Sequence, residues 1–334
     1  MNWVFQKEGK IDHYRQNIHF GNQPVRVIHH MLVVMLQETY PSFFEELLEN
    51  INQGKIDKEL NLVYGDEPIK NELRKPHTPR VNFETKKIEI YESFLSFLWC
   101  CTYSIYVTYL ETIDYPMVNK VNNRIVHPIN NDNIKKAREL FDYARYLVVH
   151  FDIWNKELLP NPEVYFAERR DYVEQTNLFY TDAVKFILCH EIIHLTNHVD
   201  KITSQSSDSH YLEFEIEADD KALEMMMKGI SYSQHPFDVA RRLSIENGII
   251  FGILSMFFFS GSTYLDKKHP NSEDRLTVAL EKLKVSAEHP AWGIACVGLQ
   301  FWDEQFNLHF VWNKNLASYK DQYYDIVGQI KKRQ

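Results

Sequence analysis

Hydrophobic and polar positions divide the chain into segments of different period. From Val25 to Asn50 apolar residues recur at helical spacing, and a turn-rich region carrying Gly54, Gly65, Pro68, Pro76 and Pro79 follows. Between Val81 and Tyr91, the residues Val81, Phe83, Ile88 and Ile90 alternate with polar ones around a polar centre, which predicts a β-hairpin. No charge falls between Glu92 and Glu111 or between Glu246 and Asp266. A membrane span needs about 20 predominantly apolar residues. The first stretch is interrupted by Ser93, Ser96, Thr102, Ser104 and Thr108, and the strongly apolar part of the second, Ile249 to Phe259, is short and contains Gly252 and Ser255. Both read as buried core segments, with a re-entrant or membrane-resting segment as the competing reading. The asparagine-rich stretch from Asp114 to Asn133, with Pro116 and Pro128, marks a subdomain boundary. Beyond it, Ala137, Leu140, Phe141, Ala144, Leu147, Val148 and Phe151 predict an amphipathic helix starting near Asn133. Val164 to Phe166, after Pro160 and Pro162, is a short strand candidate, and Thr203 to Ser209 is a low-complexity loop. The division is residues 1–130, a mixed helical and β subdomain that is a candidate cover for a cleft, and residues 131–334.

Composition narrows the class without naming a function. The 334 residues are 44% hydrophobic and 25% charged with mean hydropathy −0.40, which fits a globular chain and excludes collagen-like and disordered ones. Against 37 basic side chains stand 46 acidic ones, and a net charge of −9 gives no general electrostatic reason to approach nucleic acid or an anionic membrane. Four cysteines without metal-knuckle spacing do not form a disulfide framework. With no basic region and apolar stretch in Met1 to Lys10, the expectation is a reducing, cytoplasmic setting.

The chemistry is concentrated further along. Phe179 to Val199 contains no Gly or Pro, has apolar residues at helical intervals and includes His190-Glu191-Ile192-Ile193-His194. On a helix the two imidazoles lie on one face, one turn apart, so both reach a single ion while Glu191 sits beside it. Neutral imidazole suits Zn²⁺, and an adjacent carboxylate can take a proton from water. So short a motif also arises by chance, and a catalytic zinc requires a third protein ligand. The acidic helix candidate Glu213 to Met225 can supply it. Glu215, Ala218, Asp219 and Ala222 share one face, while Glu213 and Glu217 are displaced by about 200° from Glu215. Glu215 can complete the ligand set with His190 and His194, and Asp219 can accept the free N–H of a ligating histidine. Glu213, Glu217 and Asp220 read as a solvated face. Further on, His269-Pro270-Asn271-Ser272-Glu273-Asp274-Arg275 reads locally as a helix start, with Pro270 near the first turn and acids at the positive end of the dipole.

These three segments, HExxH at His190, ExxAD at Glu215 and HPxxxxR at His269, resemble the gluzincin metallopeptidases in order and approximate spacing, above all the group of CAAX prenyl proteases and HtpX-type peptidases. The resemblance covers about Phe179 to Leu276, and at the level of architecture the chain is more distantly similar to the soluble phage-exclusion protease Lit. It implies an α+β, predominantly helical, zincin-like fold over residues 131–334, with an active-site helix and a small edge-strand sheet. It implies one zinc ion held by His190, His194 and Glu215, with Glu191 activating water, Asp219 supporting a ligand, and His269 and Arg275 near the substrate or the developing oxyanion. Unlike the membrane-embedded relatives the chain lacks clear spans, so their lipidated or membrane substrates are not carried over. The expected activity is zinc-dependent hydrolysis of a protein or peptide amide bond, with His269 as first choice of oxyanion donor, Tyr211 and His198 after it, and Val164 to Phe166 as an edge for an extended substrate. Two alternatives stand beside it: an inactive or structural-zinc interaction protein, and a membrane-associated HtpX-like peptidase. A nucleic-acid partner has no supporting motif, and the substrate and oligomeric state are not legible.

Overall fold

Local chemistry sets the first breaks in the chain. Pro24 opens a 3₁₀ turn, Pro24–Ile28, that runs into helix α1, His29–Gln37. Pro41 precedes α2, Phe43–Asn52, so the single helical pattern expected from Val25 to Asn50 is divided where a proline disfavours helix in the residue before it. The computed structural model describes residues 23–59, 61–63, 78–121, 126–149, 152–202, 206–264, 266–313 and 315–334. The amino-terminal segment, the turn residues Gly65, Pro68 and Pro76, the Asn122-Asn123 pair and Thr203 to Gln205 lie outside the described residues.

The predicted hairpin forms. Strand β1, Asn61–Val63, pairs in parallel with β3, Lys87–Tyr91, and β2, Arg80–Asn82, pairs with the other side of β3 antiparallel, in the order β1-β3-β2. Ile88 and Ile90 point into the core between outward Lys87 and Glu89. Asn82 closes the turn by accepting the backbone N–H groups of Glu84 and Thr85 at 3.1 and 3.0 Å, and Arg80 pairs with Glu89 across the strands at 2.8 Å. By contrast, Val164 to Phe166 is not a strand. The Asn161 side chain accepts the backbone N–H groups of Glu163 and Val164 at 3.0 and 2.7 Å, and this turn leads through an exposed segment to a 3₁₀ turn at Ala167–Arg169.

The rest is helical. Helix α3, Glu92–Tyr109, continues through a π turn, Leu110–Asp114, into α4, Tyr115–Val121; α5 spans Asn131–Val149 and α6 Arg170–Ile193. After these come α7, Asp208–Lys228; α8, Pro236–Leu254; α9, Ser272–Lys282; α10, Pro290–Phe306; and α11, Tyr319–Lys331. This is the predominantly helical α+β fold with a small sheet that the sequence suggested. The two uncharged stretches are α3 and the second half of α8. The continuous helical runs that contain them, Glu92–Val121 and Pro236–Phe259, are long and apolar enough to cross a membrane by length and composition, and most of the apolar length of each lies inside the protein. Every residue of α3 except Tyr106 is buried, as a helix apolar on all sides requires. At the asparagine-rich stretch the buried Glu111 carboxylate accepts from Asn130 N–H, Asn133 Nδ2 and Tyr172 O–H at 2.7, 2.9 and 2.7 Å, which ties α3, α5 and α6 together.

Helix α6 is the centre of the molecule, packed against α1, α3, α7 and α8, and one continuous apolar core surrounds it. Its closest neighbour is α8, where Gly248 and Gly252 face α6. A Cβ on Gly248 would lie 2.4 Å from Asp182 Cβ and 3.1 Å from the Ala183 nitrogen, while one on Gly252 would press only on the Phe186 ring, at 3.2 Å, and touch the Ala183 carbonyl oxygen at an ordinary 3.4 Å. At the same contact the buried Asp182 carboxylate accepts from Arg241, and from Ser244 Oγ at 2.7 Å, and lies 3.1 Å from Lys185 Nζ. Burial pushes the Asp182 pKa up, but Lys185 and Arg241 outweigh it and hold the carboxyl below its usual 3.8.

Two expectations follow from this contact. Gly248→Ala should cost about 1–3 kcal/mol in urea unfolding despite the better helix propensity of alanine, because backbone atoms must move, whereas Gly252→Ala should stay within about 1 kcal/mol of wild type; equal effects would contradict the packing described. Asp182→Asn should cost about 3–5 kcal/mol at neutral pH by stranding Lys185. Because the folded pKa is depressed, the Asp182 contribution is complete above about pH 4 and is lost as the pH falls through the lower folded value. Thermal unfolding against pH should therefore show an acid limb that flattens in the variant.

Candidate active site

The last turn of α6 carries His190 and Glu191, and the π turn that continues it opens with His194; each is 8% exposed and opens on the same cleft. The helix can deliver these polar side chains into the interior because the residues between them, Ile192 and Ile193, and Cys189 before them are buried in the core. Helix α7 crosses α6 with Ala218 and Ala222 fully buried, and this small-residue face brings Glu215 up to the two imidazoles. His190 Nε2 and His194 Nε2 are 3.0 Å apart, Glu215 Oε2 is 3.5 Å from the former, and Glu215 Oε1 is 3.3 Å from the latter. Donor atoms of His190, His194 and Glu215 all lie within 4.8 Å of one another, the only such group of three among the described residues.

Each imidazole is engaged on its far side. His190 Nδ1 donates to Asp219 Oδ1 at 2.9 Å, and Asp219 is gripped by Arg275 from α9, with Nε and Nη2 donating at 2.7 and 2.6 Å. His194 Nδ1 lies 2.9 Å from His198 Nδ1. Residues His194–His198 form a π turn that continues α6. Burial disfavours a charged His190 ring, yet the Asp219 and Glu215 carboxylates prevail and raise its pKa to about 10. Burial likewise works against ionised Glu215 and Asp219, but His190 and His194 hold Glu215 far below the usual carboxylate range, and Arg275 and His190 bring Asp219 down to about 2. Glu191 goes the other way: burial raises its pKa, against the pull of His190 and His194. One acid is thereby prepared to take a proton while its neighbours stay anionic.

His269 stands at the rim. Its Nδ1 lies 2.9 Å from Asp266 Oδ1, its Nε2 lies 3.8 Å from Glu215 Oε1, and it lines the cleft together with Tyr211 and Arg275. The helix that follows begins at Ser272, two residues after Pro270, with Glu273 and Asp274 in its first turn. The cleft has a volume of about 310 Å³; its other wall is the edge of the sheet, Thr78 to Val81 with Phe83. Among the described residues β2 is an outer strand, and it takes the place beside the histidines that was expected of Val164 to Phe166, which do not line the cleft. Behind His269 and Arg275 an adjoining cavity of about 550 Å³ is lined mainly by apolar side chains, among them Leu212, Ile216, Leu223 and Val278.

The sequence-predicted residues His190, Glu191, His194, Glu215, Asp219, His269 and Arg275 are thus brought to one place. His198 is the exception. It is fully buried behind His194 and does not line the cleft, so it is not positioned to donate to a substrate. Glu217 was expected on the solvated face with Glu213 and Asp220. Glu213 is exposed, and Asp220 pairs with Lys282 at 2.6 Å, but Glu217 Oε2 lies 3.4 Å from His198 Nε2. The signal for that partnership was the helical stripe His190, His194, His198, which continues one turn past the motif.

No curated protein and no solved structure matches the chain significantly. A family model does: the one described as Peptidase U49 matches residues 88–295, from β3 through the whole His190, Glu215 and His269 constellation into α10. Since that is more than half of the chain, the protein belongs to the Peptidase U49 family, the family of the Lit protease, and is a peptidase.

Proposed function

We propose that the chain is a zinc-dependent endopeptidase of gluzincin type. The observation that carries the reading is the convergence of His190 Nε2, His194 Nε2 and a Glu215 carboxylate on one point at the base of a cleft, with both imidazole Nδ1 atoms engaged elsewhere. Two imidazoles and a carboxylate suit zinc, and three protein ligands leave a position open as catalytic sites require. When bound, the ion supplies a Lewis acid that makes water acidic near neutral pH and polarises an amide carbonyl.

The chain's own residues do the rest. Glu191, raised in pKa and facing the cleft, accepts the proton of the attacking water and returns it to the leaving amine. As an imidazolium, His269 donates its Nδ1–H to Asp266 and offers its Nε2–H to the oxygen on which negative charge develops. A single donor in that role is worth about 3–4 kcal/mol in other hydrolases. Asp219 keeps the His190 proton on Nδ1, and Arg275 neutralises Asp219. The β2 edge offers backbone groups to an extended polypeptide, and the apolar cavity behind His269 receives one of its side chains.

The test is a comparison of wild type with Glu191→Gln. Wild type should hold about one zinc ion per chain and generate new N-termini in a proteome incubated with it. The variant should keep the ion and lose cleavage by at least about 10²-fold, the low end for a general base. Cleavage that persists in the variant, or in protein stripped of metal, would overturn the mechanism, and a metal-binding wild type with no cleavage would favour an interaction role.

A further inference from the structure

Resting on the zinc reading above, we infer that His198 is a positioning residue of the metal centre, held in register by Glu217. His194 must present its Nε2 lone pair to bind a cation, so its proton must be on Nδ1, and a buried N–H requires an acceptor. The atom facing it is His198 Nδ1, at 2.9 Å. For His198 Nδ1 to accept, the His198 proton must in turn sit on Nε2; that buried nitrogen makes no formed hydrogen bond, and the carboxylate oxygen facing it is Glu217 Oε2, at an ion-pair distance of 3.4 Å. The chain of proton positions therefore runs in one direction only, from His194 through His198 to Glu217.

Three further contacts fix this arrangement. The Phe214 ring stacks on His198 at 4.5 Å with planes 19° apart, which sets the plane of the imidazole. Asn197 Nδ2 donates to Glu217 Oε1 at 3.1 Å, and Lys221 Nζ lies 3.0 Å from the same oxygen, so the carboxylate is held where His198 needs it. The π turn over His194–His198 inserts the extra residue that lets the two Nδ1 atoms face each other instead of stacking one turn apart. His198 does for one ligating histidine what Asp219 does for the other, with a neutral ring in place of a carboxylate next to the ligand.

Zn²⁺ affinity measured by competition with a chromophoric chelator, on the full chain, reads this directly. His198→Phe keeps an aromatic ring against Phe214 and removes the acceptor; it should bind Zn²⁺ about 10- to 100-fold more weakly, the usual cost of losing such a partner. His198→Asn, whose carbonyl oxygen can replace Nδ1 as acceptor, should restore affinity to within a few-fold of wild type, and its Co²⁺ form should keep the wild-type visible absorption. A structural role alone would lower the melting temperature of the metal-free protein in both variants without separating their affinities. Undiminished Zn²⁺ affinity in His198→Phe, or equal losses in the Phe and Asn variants, would overturn the assignment. Should His198→Phe not fold, Glu217→Ala at the partly exposed end of the chain is expected to weaken binding about tenfold, and unchanged affinity there would overturn it equally. A wild type that binds no Zn²⁺ removes the zinc reading itself, a separate outcome.

Discussion

Asp219 carries a negative charge into a helix interface, and a charge there is tolerated only when its partners are close and well aligned. Both conditions hold, because the Arg275 fork grips the carboxylate and the His190 ring donates to it. Through this one group α6, α7 and α9 are joined at the point where the cleft begins. Removing Asp219 strands both the guanidinium and the His190 N–H, and removing Arg275 leaves the carboxylate to His190 alone, so the setting of His190 depends on a guanidinium 85 positions further along the chain. The His269 loop and the Arg275 helix belong to one segment, and the clamp that steadies a histidine at the base of the cleft also fixes the cleft's rim.

The packing of α8 on α6 plays the complementary part. A helix that holds imidazoles and carboxylates in the interior must be covered closely, or water enters and screens them. Gly248 lets the α8 backbone approach to a distance that no side chain would allow, and the Asp182, Lys185, Arg241 and Ser244 cluster closes the interface around one carboxylate that faces two cations. The same helix then supplies Gly252 and Ile253 to the cleft wall, and the 3₁₀ turn after it, Ser255–Phe259, supplies Met256. Exclusion of water and shaping of the cleft are thus achieved by one surface.

Much of this was legible in the residues, for physical reasons that differ from case to case. The helix of His190 and His194 is fixed by a long run without Gly or Pro and by spacing that does not depend on tertiary contacts. Glu215 and Asp219 were separable from their acidic neighbours because a helix has faces. The hairpin followed from alternation, and the buried state of α3 from its lack of charge. Val164 to Phe166 misled because three apolar residues carry no information about whether a neighbouring Asn will take up their backbone N–H groups. Glu217 misled because the face argument assumes one partner helix with regular geometry, and the π turn at His194–His198 moves His198 round to meet a residue on the other side of α7. The clamp between Asp219 and Arg275, and the placement of β2 across the cleft, depend on contacts distant in sequence that periodicity does not encode.

The atoms that could hold a cation all come from residues 190–215, whereas the walls around them come from β2, α8 and the His269 segment, which reach about 110 positions before His190 and about 60 after Glu215. Bringing these three side chains together is therefore a local property of two successive helices, with low contact order, while the shaped surroundings of the cleft are a property of the whole fold. Insertions and replacements in the distant walls can redirect what enters the cleft without disturbing His190, His194 and Glu215, and a lineage built on this scaffold can change its targets while that trio stays fixed.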